Sequence, residues 1–295
     1  MVSKRSLGQP HKKAAPSYGK QHKKAALSRG KFKKTVWDYY RANKRDFPWR
    51  RNINPYRVLV SEIMLQQTQV SRGEIKYKEF LKKFPSFSAL AKASNADVLM
   101  AWQGLGYNRR ALYLKRTAEV VVNEYKGKLP SDPAMLVKLP GIGAYTAGAV
   151  CAFAFNKPVV FIDTNVRRVF IYHFFNNKEG VTDAELVPLV EDTLDKENAR
   201  EWYSALMDYG SMLGSKEENA NKRSAHYVRQ SKFEGSLRQV RGKIVKHVTS
   251  SMRQVTRKEL QKALWETEGR IDLAIAGLQK DGIMSVRGRM VSIKA

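Results

Sequence analysis

Cysteine, acidic residues and long apolar runs are all scarce in this chain of 295 residues. The lone cysteine, Cys151, excludes a disulfide framework, a four-cysteine zinc site and an iron–sulfur cluster held by cysteines alone. Because no apolar run approaches the roughly 20 residues that span a bilayer, we expect no transmembrane helix. The N-terminal residues lack the apolar core of a secretory signal peptide, so we expect none.

The shortage of acid leaves a large positive charge. The chain has 54 lysines and arginines against 27 acidic residues, which gives a formal net charge of +27. Such a surplus indicates a polyanionic partner, most simply nucleic acid, although ribosomal proteins and proteins that bind acidic membranes share this composition. A hydrophobic content of 43% excludes a wholly disordered chain.

Residues 1–34 concentrate the positive charge, with 11 basic residues and no acid. They contain the run His-Lys-Lys-Ala-Ala twice, together with Pro, Gly and Ser, and they show no apolar periodicity. We predict a disordered basic arm that contacts phosphates. An inert solubilising tail or a targeting peptide is the alternative interpretation.

Residues 35–230 are predicted to form an all-helical domain, because apolar side chains recur there at helical spacing. The first helix is predicted to start at Phe32, and another is predicted over Val58–Gln67. Asn95 and Ser131 stand where N-caps are expected, and prolines separate the helices.

Residues 231–295 are predicted to form a small α+β domain of the winged-helix type. Three helical segments precede a β-hairpin whose tip is Arg287-Gly288-Arg289. Thr256 and Glu259 form a capping-box pattern before the second of these helices. In a winged helix the third helix and the hairpin tip face DNA, and a protein-binding role is the alternative.

A glycine-rich turn between two helices is the strongest local motif. The run Leu139-Pro140-Gly141-Ile142-Gly143 ends one helix, and a helix rich in alanine and glycine starts near Tyr145. The backbone amides of such a turn, with the positive end of the next helix, bind a phosphate without a side-chain charge. This pattern is typical of a helix-hairpin-helix, and a plain helix–helix turn is the alternative.

Two acidic residues stand in apolar surroundings. Asp163 follows four apolar residues and precedes a helix that begins near Thr164, so we predict an N-cap that the helix dipole keeps ionised. Glu62 lies in an otherwise apolar stretch, where an acid is either paired with a base or raised in pKa and functional. An ionised, desolvated carboxylate suits a reaction in which a sugar develops positive charge.

Five motifs occur in an order that resembles the adenine DNA glycosylase (MutY) family of the helix-hairpin-helix DNA glycosylase superfamily. They are Phe47-Pro48-Trp49-Arg50, the ten residues from Ser61 to Val70, Trp102-Gln103-Gly104-Leu105-Gly106-Tyr107, the Leu-Pro-Gly-Ile-Gly hairpin, and Asp163-Thr164-Asn165-Val166-Arg167-Arg168-Val169. The resemblance covers residues 35–213. It implies an all-α helix-hairpin-helix glycosylase domain, followed here by the small winged-helix-like α+β domain.

The resemblance implies a role for each residue of the site. Glu62 corresponds to the general acid that protonates N7 of adenine, and Asp163 to the carboxylate that stabilises the oxocarbenium ion or forms a short-lived adduct. Tyr145 assists with its hydroxyl, and Asn165 orients the acids and the water. Bifunctional glycosylase/lyases carry a lysine in place of Tyr145, so the resemblance implies a monofunctional enzyme without a Schiff base.

The resemblance also implies a set of DNA contacts. Gln66, Gln67 and Tyr107 correspond to residues that wedge into the stack near the opposing base. Further DNA contacts are expected from two hairpin glycines and three arginines: Gly141, Gly143, Arg50, Arg109 and Arg167. A monovalent cation at the hairpin is the one candidate ion, and no metal-ligand set is expected.

The chain departs from the family in two places. The four cysteines that hold a [4Fe–4S] cluster in most members are replaced by Gly214, Asn221, Ser224 and Gln230, so we expect neither this cluster nor another cofactor. Most members also end in a Nudix-like domain that reads 8-oxoguanine, which a short basic winged helix cannot be. Selectivity for 8-oxoguanine therefore stays open.

Together these features predict a monofunctional glycosylase that removes adenine opposite 8-oxoguanine or guanine. A glycosylase for thymine or uracil opposite guanine, or for hypoxanthine, is the second hypothesis, and a catalytically silent DNA-binding protein is the third. The expected partner is double-stranded DNA with mispaired or oxidised bases, bound by a monomer without membrane contact. We expect a cytoplasmic, nucleoid-associated protein in a prokaryote and a nuclear one in a eukaryote.

Overall fold

The computed structural model describes residues 27–216 and 219–295. Most of the predicted basic arm, residues 1–26, lies outside the described residues. The first helix begins at Arg29, because the Ser28 side chain accepts a hydrogen bond from the Lys31 amide and caps it. The predicted helix start at Phe32 is therefore wrong, and residues 29–34 are helix rather than arm.

The described chain up to residue 224 is built from helices, as predicted. They are α1 (Arg29–Asn43), α2 (Pro48–Arg51), α3 (Pro55–Leu65), α4 (Val70–Lys83), α5 (Phe87–Ala91), α6 (Asn95–Ala101), α7 (Arg109–Glu124), α8 (Pro133–Leu136), α9 (Ala144–Phe155), α10 (Thr164–Phe174), α11 (Asp183–Thr193) and α12 (Ala199–Lys216), followed by a 3-10 turn at Ala220–Arg223. Among the described helices, none is long and apolar enough to cross a membrane.

Two predicted N-caps are displaced by one residue. Ser94, not Asn95, caps α6, because its hydroxyl accepts a hydrogen bond from the Asp97 amide at 3.0 Å. Asp132, not Ser131, caps α8 by accepting from the amide two residues on at 2.9 Å. In each case neighbouring residues both carry a capping oxygen, and the backbone geometry selects one of them.

The helices pack around two buried clusters, and the candidate site lies between them. The first cluster includes Trp102 and apolar side chains of α3 to α9, and the second includes Trp202 with side chains of α1, α10 and α12. Helix α9 belongs to both, since Ala147 packs in the first cluster and Ala149 in the second. A helix of small residues thereby brings α3 and α10 close together.

The C-terminal region has the predicted three helices and β-hairpin. Its elements are α13 (Leu237–Ser251), β1 (Val255–Thr256), α14 (Arg257–Leu264), α15 (Glu268–Lys280), β2 (Met284–Arg287) and β3 (Met290–Ile293). The capping box of Thr256 and Glu259 is confirmed. The two-residue strand β1 was not predicted; it pairs antiparallel with β3 and gives the sheet order β1-β3-β2.

The winged helix shares its core with the helical domain. Val240, Ile244 and Val248 of α13 lie in the same buried cluster as side chains of α3 and α7. The side chain of Gln103 donates to the Thr249 hydroxyl at 2.8 Å, at the contact of α13 with α6. The C-terminal region is therefore fixed to the helical domain by continuous packing, which the sequence pattern did not reveal.

The charges on the surface of the winged helix bear on its expected contact with DNA, which stays a prediction. The third helix, α15, carries two acidic and two basic side chains that are at least partly exposed: Glu268, Asp272, Arg270 and Lys280. Arg270 also pairs with Glu266, so the helix offers phosphates little net positive charge. Both arginines of the hairpin tip are exposed. The charge pattern therefore favours the hairpin tip over α15 as the part that contacts DNA.

A buried carboxylate on α12 holds the segment between α1 and α2. Asp208, whose side chain is fully buried, accepts hydrogen bonds from the Arg45 amide at 3.0 Å and from the Arg45 side chain at 2.7 Å. It also accepts two bonds of 2.9 Å from the guanidinium of Arg50. Asp208 thereby compensates two cations at the edge of the candidate site.

Replacing Asp208 by alanine should lower the free energy of unfolding by about 3–5 kcal/mol, because a largely buried arginine loses its partner. Asp46→Ala, which removes an exposed ion pair with Arg51, should have little effect. Urea unfolding of the full chain measures both variants. Similar midpoints for the two would contradict the proposed role of Asp208.

Candidate active site

Three helices present one side chain each to a cavity of about 600 Å³. Glu62 lies in the last turns of α3, Tyr145 in the first turn of α9, and Asp163 directly before α10. The start of each helix fixes where these side chains lie along it. Asn54 caps the start of α3, and Gly143 directly precedes α9. The three residues that the family resemblance singled out are therefore brought together, although about a hundred residues separate the first from the last.

Glu62 has a raised pKa, as expected if it is a functional acid and not half of an ion pair. Its carboxyl group accepts a hydrogen bond from the Tyr145 hydroxyl at 3.2 Å. Burial raises the pKa of Glu62 to about 7; the charge of Asp163 acts in the same direction, and the Tyr145 hydrogen bond and Arg50 oppose it. Within the described residues no lysine, arginine or histidine forms an ion pair with Glu62. The interpretation of Glu62 as a functional acid with a raised pKa is therefore favoured over its interpretation as half of an ion pair.

Asp163 is the N-cap of α10, as predicted. It accepts hydrogen bonds from the amides of Val166 at 2.6 Å and Asn165 at 2.9 Å, and from the Asn165 side chain at 3.1 Å. Burial raises the pKa of Asp163, while these hydrogen bonds and the charge of Arg167 lower it. Asp163 thus has three N–H donors and Glu62 has one hydroxyl donor. A single proton in the cavity therefore resides on Glu62.

A chain of hydrogen bonds orients the Asn165 amide. Its nitrogen faces Asp163, and its oxygen accepts from Arg168 at 3.1 Å. Arg168 also donates to the carbonyl of Gly210 on α12 at 2.7 Å. A Cβ on Gly210 would lie 2.7 Å from the Asn165 carbonyl oxygen, so the glycine allows this close approach. Sequence analysis included Arg168 in the motif but assigned it no role in the site.

The aromatic hydroxyl of Tyr145 stays neutral in this site. Burial, together with the charges of Glu62 and Asp163, raises its pKa well above the ordinary value. The cations that line the cavity in the described part of the chain are Arg45, Arg50, Arg167 and Arg200, with no lysine among them. The described lining of the site therefore presents proton donors and carboxylates but no amine that could attack a sugar.

Two of the predicted wedge residues, Gln66 and Gln67, line the cavity, and the third, Tyr107, lies beside them outside it. Gln66 donates to the Thr146 hydroxyl at 3.2 Å. Gln67 and Tyr107 have left-handed backbone conformations, with φ of 53° and 46°, which non-glycine residues seldom adopt. Gln230 bridges them by donating to the Gln67 side chain at 3.1 Å and to the Tyr107 hydroxyl. This bridge could not be read from the sequence.

The predicted hairpin turn is formed by its two glycines. Gly141 has a φ of 74°, and a Cβ there would lie 2.6 Å from the Tyr113 side chain, so only glycine fits without a shift. Gly143 is the N-cap residue of α9, and the first amides of that helix have no partner within it. A phosphate at this turn, and a cation at its carbonyls, stay predictions.

The three arginines predicted to contact DNA each have a carboxylate partner within the protein. Arg50 binds Asp208, and Arg109 lies 3.3 Å from Asp281. Arg167 binds the carboxylate of Asp183 through two bonds of 2.8 Å. Their DNA contacts stay predictions, and their positive charge is partly compensated in the free protein.

The residues at the four cysteine positions of the family do not fit an iron–sulfur cluster. Asn221 is buried and donates to the Thr164 carbonyl at 2.9 Å, and Ser224 forms a backbone bridge with Val181. Gly214 faces the Arg168 guanidinium, which a Cβ would approach to 2.6 Å. Oxygen and nitrogen atoms in these positions cannot replace cysteine sulfur, and the described residues contain no metal-ligand cluster of His, Cys, Asp or Glu.

Comparison with known proteins places this geometry in a family. The sequence model of the HhH-GPD superfamily base excision DNA repair proteins matches residues 60–190. The adenine DNA glycosylase of Mycolicibacterium smegmatis is 35% identical, over 83% of this chain and 90% of that protein. The chain belongs to the adenine DNA glycosylase family.

Some relatives of this adenine DNA glycosylase family member are named for a base other than adenine. The thymine/uracil-DNA glycosylase of Methanothermobacter thermautotrophicus is 31% identical over 62% of this chain and 84% of that protein. The structure of a thermostable thymine-DNA glycosylase superposes with a TM-score of 0.58 at 28% identity, covering 66% of this chain and 91% of the other. The helix-hairpin-helix glycosylase fold is therefore confirmed, and the protein is a DNA N-glycosylase of base excision repair.

The absence of lysine from the described cavity lining gives a test of the reaction type. Incubation with substrate DNA should yield an intact abasic strand that breaks only after alkali or heat, because Tyr145 cannot form a Schiff base. Borohydride should trap no enzyme–DNA adduct, as seen by gel shift under denaturing conditions. Efficient trapping would show that some amine acts as nucleophile.

Proposed function

We propose that this glycosylase hydrolyses the N-glycosidic bond of adenine mispaired with guanine or 8-oxoguanine in double-stranded DNA. The observation that carries the proposal is the pair of carboxyl groups in one cavity, with Glu62 at a pKa of about 7 and Asp163 held by three N–H donors. The relatives named adenine DNA glycosylase support adenine as the target.

Glu62 supplies the proton in this mechanism. Adenine leaves as an anion unless its N7 is protonated first, so the reaction needs an acid that still holds its proton near neutral pH. Burial gives Glu62 that property. The Tyr145 hydroxyl donates to the same carboxyl group, which fixes its position against the entering base.

Asp163 supplies the negative charge. As the bond to adenine breaks, the sugar becomes positive, and a fixed carboxylate in a desolvated site stabilises that charge or bonds transiently to the sugar carbon. The Asn165 amide, itself held by Arg168, keeps one Asp163 oxygen in place. Water then completes the hydrolysis and leaves an abasic strand.

The target base must leave the helix to reach these groups. The cavity of about 600 Å³ is within the range of small-molecule pockets. Gln66 and Gln67 line this cavity, and Tyr107 lies beyond them in a neighbouring cavity; together they are placed to fill the space that the everted base leaves in the stack. The exposed ring of Tyr107 and its preset backbone conformation suit this role.

A second candidate is removal of thymine or uracil opposite guanine, which the 31% identical thymine/uracil-DNA glycosylase favours. The Tyr145 position does not separate the two reactions. Thymine and uracil have no N7 to protonate, so a buried acid that holds its proton near neutral pH suits the excision of adenine better. Excision assays on A·G, A·8-oxoguanine, T·G and U·G duplexes decide between the candidates.

The rate of adenine excision should depend on pH through Glu62. A raised pKa keeps the acid protonated below about pH 7, so the single-turnover rate should be high there and fall about tenfold per unit above it. At low pH, protonation of Asp163 should give a second decline. Glu62→Gln should abolish most of the activity. A rate that rises through pH 7 would exclude Glu62 as general acid.

Asp163→Asn should lower the excision rate by more than about a hundredfold, because the sugar cation loses its counter-charge. Asparagine is also a good N-cap, so α10 should stay folded. Binding to a duplex with an abasic-site analogue serves as the control and should persist. A variant that retained more than about a tenth of the wild-type rate would refute the assignment.

A further inference from the structure

A second cavity, of about 520 Å³, lies between the helical domain and the winged helix. Gln66 and Gln67 line both this cavity and the reaction cavity, so the two are separated by the wedge segment. On its far side the second cavity is lined by Tyr107, Phe233 and Arg238. A duplex held with one base in the reaction cavity would therefore have the partner of that base on the side of the second cavity.

The winged helix and the segment leading to it bring polar donors to this cavity. Arg238, in the first turn of α13, donates to the Tyr107 hydroxyl at 3.0 Å and to the Ser231 carbonyl at 2.7 Å. Gln230 binds the wedge residues from the same segment. The ring of Phe233 is 57% exposed at the cavity and offers an apolar face.

Arg238 differs from Arg109 and Arg241 in its charge balance. The fourth arginine of this cavity, Arg110, also lacks an ion pair among the described residues, but its guanidinium is partly buried and donates to the backbone carbonyls of Ile63, Gln66 and Leu105. Arg109 and Arg241 share the carboxylate of Asp281. In the described part of the chain, Arg238 forms no ion pair and contacts only neutral oxygens. Its guanidinium therefore retains a full positive charge next to an open cavity, where it can exchange weak contacts for stronger acceptors.

We propose that the second cavity binds the base opposite the excised one, and that Arg238 selects a purine with an O6 acceptor there, guanine or 8-oxoguanine. The proposal rests on the proposed function, in which one base is everted. Arginine recognises the O6 and N7 edge of guanine better than any other side chain, and 8-oxoguanine keeps O6. The winged helix thus supplies the reader of the opposing base in this chain.

The test compares single-turnover excision of adenine opposite guanine, 8-oxoguanine, cytosine and 2-aminopurine, which is a purine without O6. Arg238→Ala should lower the rate opposite guanine about tenfold to a hundredfold, the range of a lost arginine–guanine contact. The rates opposite cytosine and 2-aminopurine should change little. The effect of Arg238→Ala on excision opposite 8-oxoguanine, whose N7 is not an acceptor, shows whether Arg238 recognises O6 alone or needs N7 as a second acceptor.

Arg289→Ala is the matched control, since it removes the same charge from the exposed hairpin tip of the winged helix. It should weaken binding to every duplex by one common factor and leave the rate ratios intact. Arg238→Lys should restore part of the preference for guanine, because lysine donates to O6 without the fork of arginine. Thermal unfolding of each variant checks that the fold is kept.

The outcomes separate this proposal from the proposed function. If the wild type excises thymine opposite guanine instead of adenine, the same comparison applies, because the opposing base is unchanged. If it excises neither, affinity for an abasic-site analogue opposite guanine or 2-aminopurine still tests Arg238. A guanine preference that Arg238→Ala leaves unaltered, or a loss of equal size on all duplexes, would overturn the assignment.

Discussion

Two carboxyl groups share one desolvated cavity, and both cannot be charged there without strong repulsion. The fold resolves this by unequal hydrogen bonding. Asp163 sits at a helix start and receives three N–H donors, whereas Glu62 receives one hydroxyl donor. One group is therefore stabilised as an anion and the other as an acid. The boundary of α10, the short side chains of α9 and the Asn54 cap of α3 all help to place these two groups in one cavity.

Hydrogen bonds among α10, α12 and the loop beyond α12 support this pair. Arg168 links α10 to α12, and its Nε donates to the Asn219 side chain at 3.1 Å in the loop beyond α12. Asn221 ties the same loop to the start of α10 through the Thr164 carbonyl. The end of α12 and the start of α10 are thus held together by amides and one guanidinium, close to the residue that orients Asp163.

The sequence was informative where a residue type is compatible with few backbone conformations or charge environments. The hairpin glycines, the acid before α10 and the acid within an apolar helix were all predictable, because glycine, a capping acid and a buried acid each restrict the backbone or the charge. The bridge from Gln230 to Tyr107, the place of Arg168 and the shared core of α13 were not predictable. They join residues far apart in the chain, and glutamine, arginine and valine occur in many surroundings. The caps at Ser94 and Asp132, each one residue from its predicted position, show another limit of sequence analysis. Where two adjacent residues can both cap a helix, the sequence pattern does not show which of them does.

The continuous core between α13 and the helical domain has a mechanical consequence. Two parts of the chain that share buried side chains cannot swing around a duplex as separate clamps would. The bend and the local opening needed to evert a base must then come from the DNA, at a cost that depends on how easily a given base step deforms. A mispaired or damaged site, which is already less stiff than a matched one, meets a rigid surface shaped for the distorted form.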